Sequence, residues 1–194
     1  MSLSNARVIT EYQKANRKVI LALIEEDDIK HLIKLAKDPE LIDAMGWETS
    51  FSSDDVDGFV EALAAYALPF SRPSEPVVLG VFLETEPQPI GYGVLKGFNM
   101  DLLTTETGVA ILDRRYRNKG YGRLTLQGMV THAFNELNIK RIGAAILASN
   151  KTSINMCKRS GFFVKEIMTE SWNMPNGDLV DMVWMEVERG GVQE

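Results

Sequence analysis

Two glycines stand two positions apart in a crowd of bases. Residues 113–123 read DRRYRNKGYGR, with Arg114, Arg115, Arg117, Lys119 and Arg123 against one acid, Asp113. The stretch that follows, LTLQGMVTHAFNEL, places Leu126, Val130, Ala133, Phe134 and Leu137 at helical spacing. A glycine-rich basic turn that opens a helix builds an anion site. Glycine lets backbone and ligand approach closely, the first-turn N–H groups have no partner within the helix, and its positive pole faces the ligand. A phosphate binder is the first expectation. Two common phosphate loops fail on spacing. A Walker-type loop needs Lys-Ser/Thr after its last glycine, where Arg123-Leu124 stands, and a dinucleotide fingerprint needs a third glycine where Thr125 stands.

These residues need a scaffold. The chain has 194 residues, 45% hydrophobic and 25% charged, which suits one domain with a full core. Its longest unbroken apolar runs, such as VILALI at 19–24, fall far short of the roughly 20 residues of a membrane-spanning helix. The first 18 residues are polar and mixed in charge and show no secretion signal. The single cysteine, Cys157, cannot form an internal disulfide and fits a reducing cytoplasm. The net charge of −6 hides an asymmetry, because residues 25–61 hold twelve acids against three bases. An acidic front and a basic back suggest a cationic ligand on one side and an anionic one on the other. Solvated helix faces would give the same count. The basic cluster is short and comes with no nucleic-acid motif, which argues against nucleic acid as a partner.

Along the chain, KVILALI (18–24) reads as a buried strand and EEDDIKHLIKLAKD as a helix with Ile29, Leu32, Ile33 and Ala36 on one face. SSDDVDGFVEALAAYAL reads as a second helix, capped by Ser52 or Ser53 and striped by Val56, Phe59, Val60 and Leu63. A loop holds Pro69, Pro73 and Pro76, and strands follow over 76–84, 89–98 and 105–113. After the basic turn and its helix come a strand over 140–148 and a short helix capped by Ser149 or Asn150 and stopped by Gly161. Two long strands then meet across Pro175-Asn176-Gly177. The expected fold is α+β, one domain over 1–194 with a central mixed, mostly antiparallel sheet of about six to seven strands and helices on both faces. The helix over 120–137 would cross over between two parallel neighbours.

GVAILDRRYRNKGYGRLTLQGM, a strand, a basic link and then R-x-x-G-x-G opening a helix, resembles the acetyl-CoA signature of the GNAT N-acetyltransferases, with Arg117, Gly120 and Gly122 in place. NKTSINMCKRSGF resembles a second family element, with Asn150, Ser153, Gly161 and Phe162 in register. The closing NGDLVDMVWMEVE looks like the ending of the branch that acetylates the N-termini of ribosomal proteins. The resemblance covers roughly residues 17–188. It implies acetyl-CoA as co-substrate. Its pyrophosphate would lie on the amides of Asn118, Lys119, Gly120, Tyr121, Gly122 and Arg123, and its pantetheine arm would pair like an extra strand with Ala110, Ile111 and Leu112. Arg117 and Asn150 belong to this cofactor set.

Acetyl transfer needs a neutral amine, and a lysine-like amine has a pKa of about 10.4. A general base helps. Glu106 aligns with the strand glutamate that serves as base in the histone-acetylating members, and a strand-end glutamate exposed to solvent is the plainer reading. Where many members carry a tyrosine that protonates the departing thiolate, this chain has Cys157, more simply a small buried group. The family's alternative glutamate is replaced by Gly143-Ala144-Ala145. Backbone N–H groups of Ile111 or Leu112 would face the thioester oxygen. Trp47, Trp172 and Trp184 could line an acceptor pocket or pack a core. Asp181 matches an aspartate of the ribosomal-protein branch, and His31 and His132 read as helix-surface residues. No Cys/His spacing suits a metal. The expected activity is acetyl transfer to a primary amine, such as a protein N-terminus, a polyamine or an aminosugar. The acceptor is expected to be cationic, with no membrane or nucleic-acid partner and a homodimer left open. The alternative is a non-catalytic acyl-CoA sensor.

Overall fold

The computed structural model describes residues 7–46, 52, 55–64 and 75–190. Trp47, Asp54 and the loop prolines Pro69 and Pro73 lie outside them. Eight strands form one sheet: β1 (Val8–Lys14), β2 (Arg17–Leu23), β3 (Val77–Phe82), β4 (Gly91–Asn99), β5 (Thr104–Ile111), β6 (Arg141–Leu147), β7 (Phe163–Asn173) and β8 (Leu179–Glu188). Their order is β1-β2-β3-β4-β5-β6-β8-β7. Every pair is antiparallel except β5 with β6. The sequence reading counted one strand fewer. β1 is an edge strand whose residues alternate between half-buried and exposed, so it shows no core-like apolar face.

Five helices are described: α1 (Glu26–Ala36), α2 (Pro39–Met45), α3 (Val56–Ala64), α4 (Tyr121–Asn135) and α5 (Lys151–Lys158). They cover both faces. On one, Leu126, Met129 and Val130 of α4 and Ile154 of α5 pack with Leu21, Leu79, Ile142 and Met185. On the other, Ile29, Leu32 and Ile33 of α1 and Phe59 and Leu63 of α3 pack on Tyr92, Val94, Ala110 and Leu112. Each fully buried aliphatic side chain contributes about 1.5–3 kcal/mol. Of the helical stripes read from the sequence, most residues are buried here, and Val56, Val60 and Leu137 are partly buried. The cap of α3 is Asp55, whose carboxylate accepts from the Gly58 amide at 3.1 Å, rather than Ser52; Ser53 lies outside the described residues. Asn150 caps α5, accepting from the Ser153 amide at 3.0 Å.

One departure from regular pairing shapes the site. α4 crosses over between β5 and β6, as parallel neighbours require. Those strands pair only where Thr104, Thr105 and Glu106 meet Arg141, Ile142 and Gly143. Beyond that, β5 follows β4 up to Ile111 while β6 follows β8 up to Leu147. The sheet opens like a V between them.

Candidate active site

The basic turn begins where β5 ends. The amides of Leu112 and Asp113 both donate to the Ile90 carbonyl at 2.9 Å. The Asp113 carboxylate accepts from the Arg115 amide at 2.9 Å and caps a short 3₁₀ turn over Arg114–Tyr116. Arg115 beside it holds the Asp113 carboxyl below its usual range, against the opposing effect of burial. Arg117 then turns inward, with only 15% of its side chain exposed. Its Nε donates to the Ile111 carbonyl at 3.1 Å, a second nitrogen donates to the Leu112 carbonyl, and the third meets Asp38 Oδ2 at 2.7 Å. Burial works to raise the Asp38 pKa, while hydrogen bonds from Arg117 and the Glu40 amide outweigh it and hold it below its usual range. The guanidinium that the motif suggested for the cofactor is therefore a clamp that shapes the loop.

Two left-handed residues bend the chain toward α4: Asn118, with φ 58°, and Gly120, with φ 89°. Gly120 is the helix N-cap, and at this φ a side chain would be strained. The first helical bond runs from the Leu124 amide to the Gly120 carbonyl at 3.1 Å, so the amides of Tyr121, Gly122 and Arg123 precede any intrahelical acceptor. A Cβ on Gly122 would come within 3.3 Å of Met156 Sδ.

The bases are less available than their number suggests. Arg114 meets Glu40 at 2.6 Å, Arg115 meets Asp113 at 2.7 Å and Glu86 at 3.3 Å, and Arg117 is spent on Asp38. Lys119 and Arg123 show no acid partner among the described residues. A third cation stands with them. Arg17, exposed at the start of β2, places Nη1 3.8 Å from where a Cβ on Gly120 would lie. No pattern in the sequence points to it, because nothing links that turn to residue 120 except the fold. The same pairing corrects the picture of an acidic front and a basic back. Asp38 and Glu40 of the acidic segment are bound by the basic loop, Glu25 and Asp28 by Arg7, and Glu26 by Lys30.

Along the open edge of β5, backbone groups alternate. Because Leu112 donates to Ile90, the register places residues 112 and 110 as hydrogen-bonding partners of β4 and turns the amides of Val109 and Ile111 toward the opening. Ala110 and Leu112, assigned to the cofactor from the sequence, have their backbone groups committed elsewhere: those of Ala110 pair with β4, the Leu112 amide donates to Ile90 and its carbonyl accepts from Arg117. The Leu112 N–H is not available for a thioester oxygen. Val109, missed by the sequence reading, faces the opening.

Below the V lies a cavity of about 620 Å³. Its wall includes Tyr92 and Lys96 of β4, Glu106 of β5, Cys157 of α5 and Trp172 of β7, with Asp55 at the start of α3. Glu106 is not a solvent-exposed strand end. It is 3% exposed and directly across from Lys96. Burial lowers the Lys96 pKa, while the Glu106 charge works to raise it. Cys157 is 2% exposed, and burial pushes its thiol up to about 12. A thiol so weakly acidic is a poor proton donor to a departing thiolate, so the structure favours the packing role. Asn150 also reaches the cavity, but its amide is occupied on both sides. Its oxygen caps α5 and its nitrogen donates to the Ala44 carbonyl at 3.1 Å. Trp184 packs against Gly143 and donates to Glu186 at 3.0 Å. The Asp181 carboxylate accepts from the Glu170 amide at 2.9 Å. His31 and His132 are half-buried rather than on the open helix surface.

The arrangement offers free helix-terminal amides with three cations, an unpaired strand edge, and a cavity with an ionisable pair at its wall. The sequence profile of the acetyltransferase (GNAT) domain matches residues 18–163. No curated protein sequence matches the chain. Among solved structures, a spermidine N-acetyltransferase from Vibrio cholerae, in complex with CoA and spermine, superposes with a TM-score of 0.73 at 17% identity, over 89% of this chain and 96% of that one. An acetyltransferase of the GNAT family from Bacillus anthracis gives 0.72 at 20% identity, over 91% and 98%. A proposed ribosomal-protein-serine acetyltransferase from Vibrio cholerae gives 0.69 at 18% identity, over 94% and 99%.

Proposed function

Since the chain belongs to the acetyltransferase (GNAT) family, we propose that it carries an acetyl group to a small cationic amine by direct transfer. It is an acyltransferase, and acetyl-CoA is its co-substrate. The observation that carries the acceptor-independent part of this reading is the V between β5 and β6, roofed by the unpaired amides of Tyr121, Gly122 and Arg123. Those amides, with Lys119, Arg123 and Arg17, suit a pyrophosphate. The amides of Val109 and Ile111 suit the amide groups of a pantetheine arm, which would join β5 as a strand joins an open edge. A thioester so held would lie at the mouth of the cavity.

The chain's own residues would then orient an incoming amine and receive its proton. Glu106 is the candidate base, close to the splay and directly across from Lys96. Proton transfer of this kind contributes about a hundredfold or more. Holding amine and thioester together in a site screened from bulk water supplies much of the remaining rate. The departing thiolate would take its proton from the nitrogen of the adduct, without a dedicated side-chain acid.

A cationic acceptor is supported by Asp55 at the cavity wall, by Asp57 and Glu61 on the same α3, and by the polyamine bound to the Vibrio cholerae enzyme. A polyamine is the favoured class, and a ribosomal-protein N-terminus comes second on the resemblance of the closing hairpin. The test is thiol release over a panel of polyamines, peptides, aminosugars and neutral amines, with calorimetry for CoA. Fastest release with a polyamine is expected. Preference for neutral or acidic amines would overturn the acceptor reading, and CoA binding with no turnover on any amine would overturn the catalytic one.

A further inference from the structure

Among the described residues that line the main cavity, Lys96 is the one cation. It stands near the end of β4, directly across from Glu106 on β5. Directly opposed residues of an antiparallel pair send their side chains to the same face, here the face that carries Tyr92 and Val94 under α1 and α3. A charged lysine is seldom held away from water, because burial disfavours the ammonium. The cavity wall thus presents an amine that loses its proton more readily than a surface lysine, and a carboxylate placed to receive that proton. Both line the same cavity as Val109, Lys96 on β4 and Glu106 on β5 at the last pair that joins β5 to β6.

We propose that Lys96 is an internal acetyl acceptor, modified when no outside amine fills the cavity. This rests on the reading of the cavity as the place where the acetyl thioester is held. The step balances with no further reagent. The Lys96 ammonium gives one proton to the Glu106 carboxylate. The neutral Nζ attacks the thioester carbonyl carbon and forms a C–N bond. The C–S bond breaks, CoA leaves as a thiolate, and the thiolate takes the second proton from the nitrogen. Glu106 returns its proton to solvent. The products are an Nε-acetylated Lys96 and free CoA. The modified side chain is neutral and bulkier, so it narrows the acceptor path and removes the cation beside Glu106.

The experiment is incubation of the full chain with acetyl-CoA and no acceptor, followed by intact mass and peptide mapping, with calorimetry for CoA on the same samples. One acetyl group on Lys96 is expected, slowed about tenfold or more in Gly122→Val if that variant loses as much cofactor affinity. It should be absent at this position in Lys96→Arg, and suppressed by saturating spermine. CoA binding with Lys96 unmodified overturns the proposal and leaves the proposed function standing. Modification of Lys96 at an equal rate in a folded Gly122→Val variant that no longer binds CoA means solution chemistry and overturns it as well. Absence of CoA binding by the unaltered chain overturns both.

Discussion

Arg17 reaches the loop from the opposite side of the chain, and its position is hard to explain without an anion. It lies beside the left-handed cap of α4, with no acid partner among the described residues. Three cations at the positive pole of a helix repel one another. Arg17→Ala should weaken CoA binding about two- to fivefold, as an exposed charge contact of up to about 1 kcal/mol implies. The difference should shrink as salt screens it. Calorimetry at two ionic strengths checks this, and equal affinities at low salt would remove Arg17 from the site. At Cys157 the expectation is the opposite. With its thiol pushed up to about 12, Cys157→Ala should retain most of kcat while costing about 1 kcal/mol of stability through a small cavity. A hundredfold fall in kcat with an unchanged melting profile would restore the thiol as general acid. The contrast shows what single residues reveal. Residue type singled out the loop proposed for the phosphates, because two glycines among bases carry their chemistry with them. It could not tell that Arg114, Arg115 and Arg117 are bound by Glu40, Asp113, Glu86 and Asp38, since those partners lie far off in the chain or depend on the fold.

At the level of strands and helices, the elements with one buried face were readable and the edge was not. α1 and α4 announce themselves by periodicity, and β2 by four consecutive buried residues, Val19 to Ala22. β1, paired on one side only, leaves mixed polar residues with no such pattern. The splay of β5 from β6 was also illegible, because it depends on where pairing stops rather than on which residues form strands. Just at that limit β6 carries Gly143, where a Cβ would fall 1.9 Å from two ring atoms of Trp184. The ring is fixed by its bond to Glu186. Gly143→Ala should therefore overpack this point and destabilise the fold by about 1–3 kcal/mol, read as a lowered melting temperature. If Gly143→Ala melts like the unaltered chain, the close approach of Trp184 to β6 does not constrain the last paired residues.

Over the whole molecule, the charge asymmetry of the sequence survives in reduced form. Much of the acidic segment neutralises Arg7, Lys30, Arg114 and Arg117. Asp55, Asp57 and Glu61, of α3 and its cap, meet no base among the described residues and are the acids on which the proposed attraction rests. Lys substitution at Asp57 and Glu61 should lower kcat/KM for a polyamine while leaving CoA affinity in place, and the unaltered enzyme should slow as salt rises. Rates indifferent to both would make α3 an ordinary solvated face. The tethers of α2 carry a different consequence. Arg117 of the basic loop grips Asp38 just before the helix, Asn150 of the α5 cap holds the Ala44 carbonyl in its last turn, and Ala44 to Gly46 form part of the cavity wall. One short helix thus links the two sites proposed for the ligands. By linkage, whatever factor the acceptor imposes on the Kd of CoA, CoA must impose on the Kd of the acceptor. A thermodynamic square closed by calorimetry should return one cooperative factor along both routes. In Asp38→Asn, with the charged tether lost, that factor should fall toward unity, so that the two ligands bind as strangers.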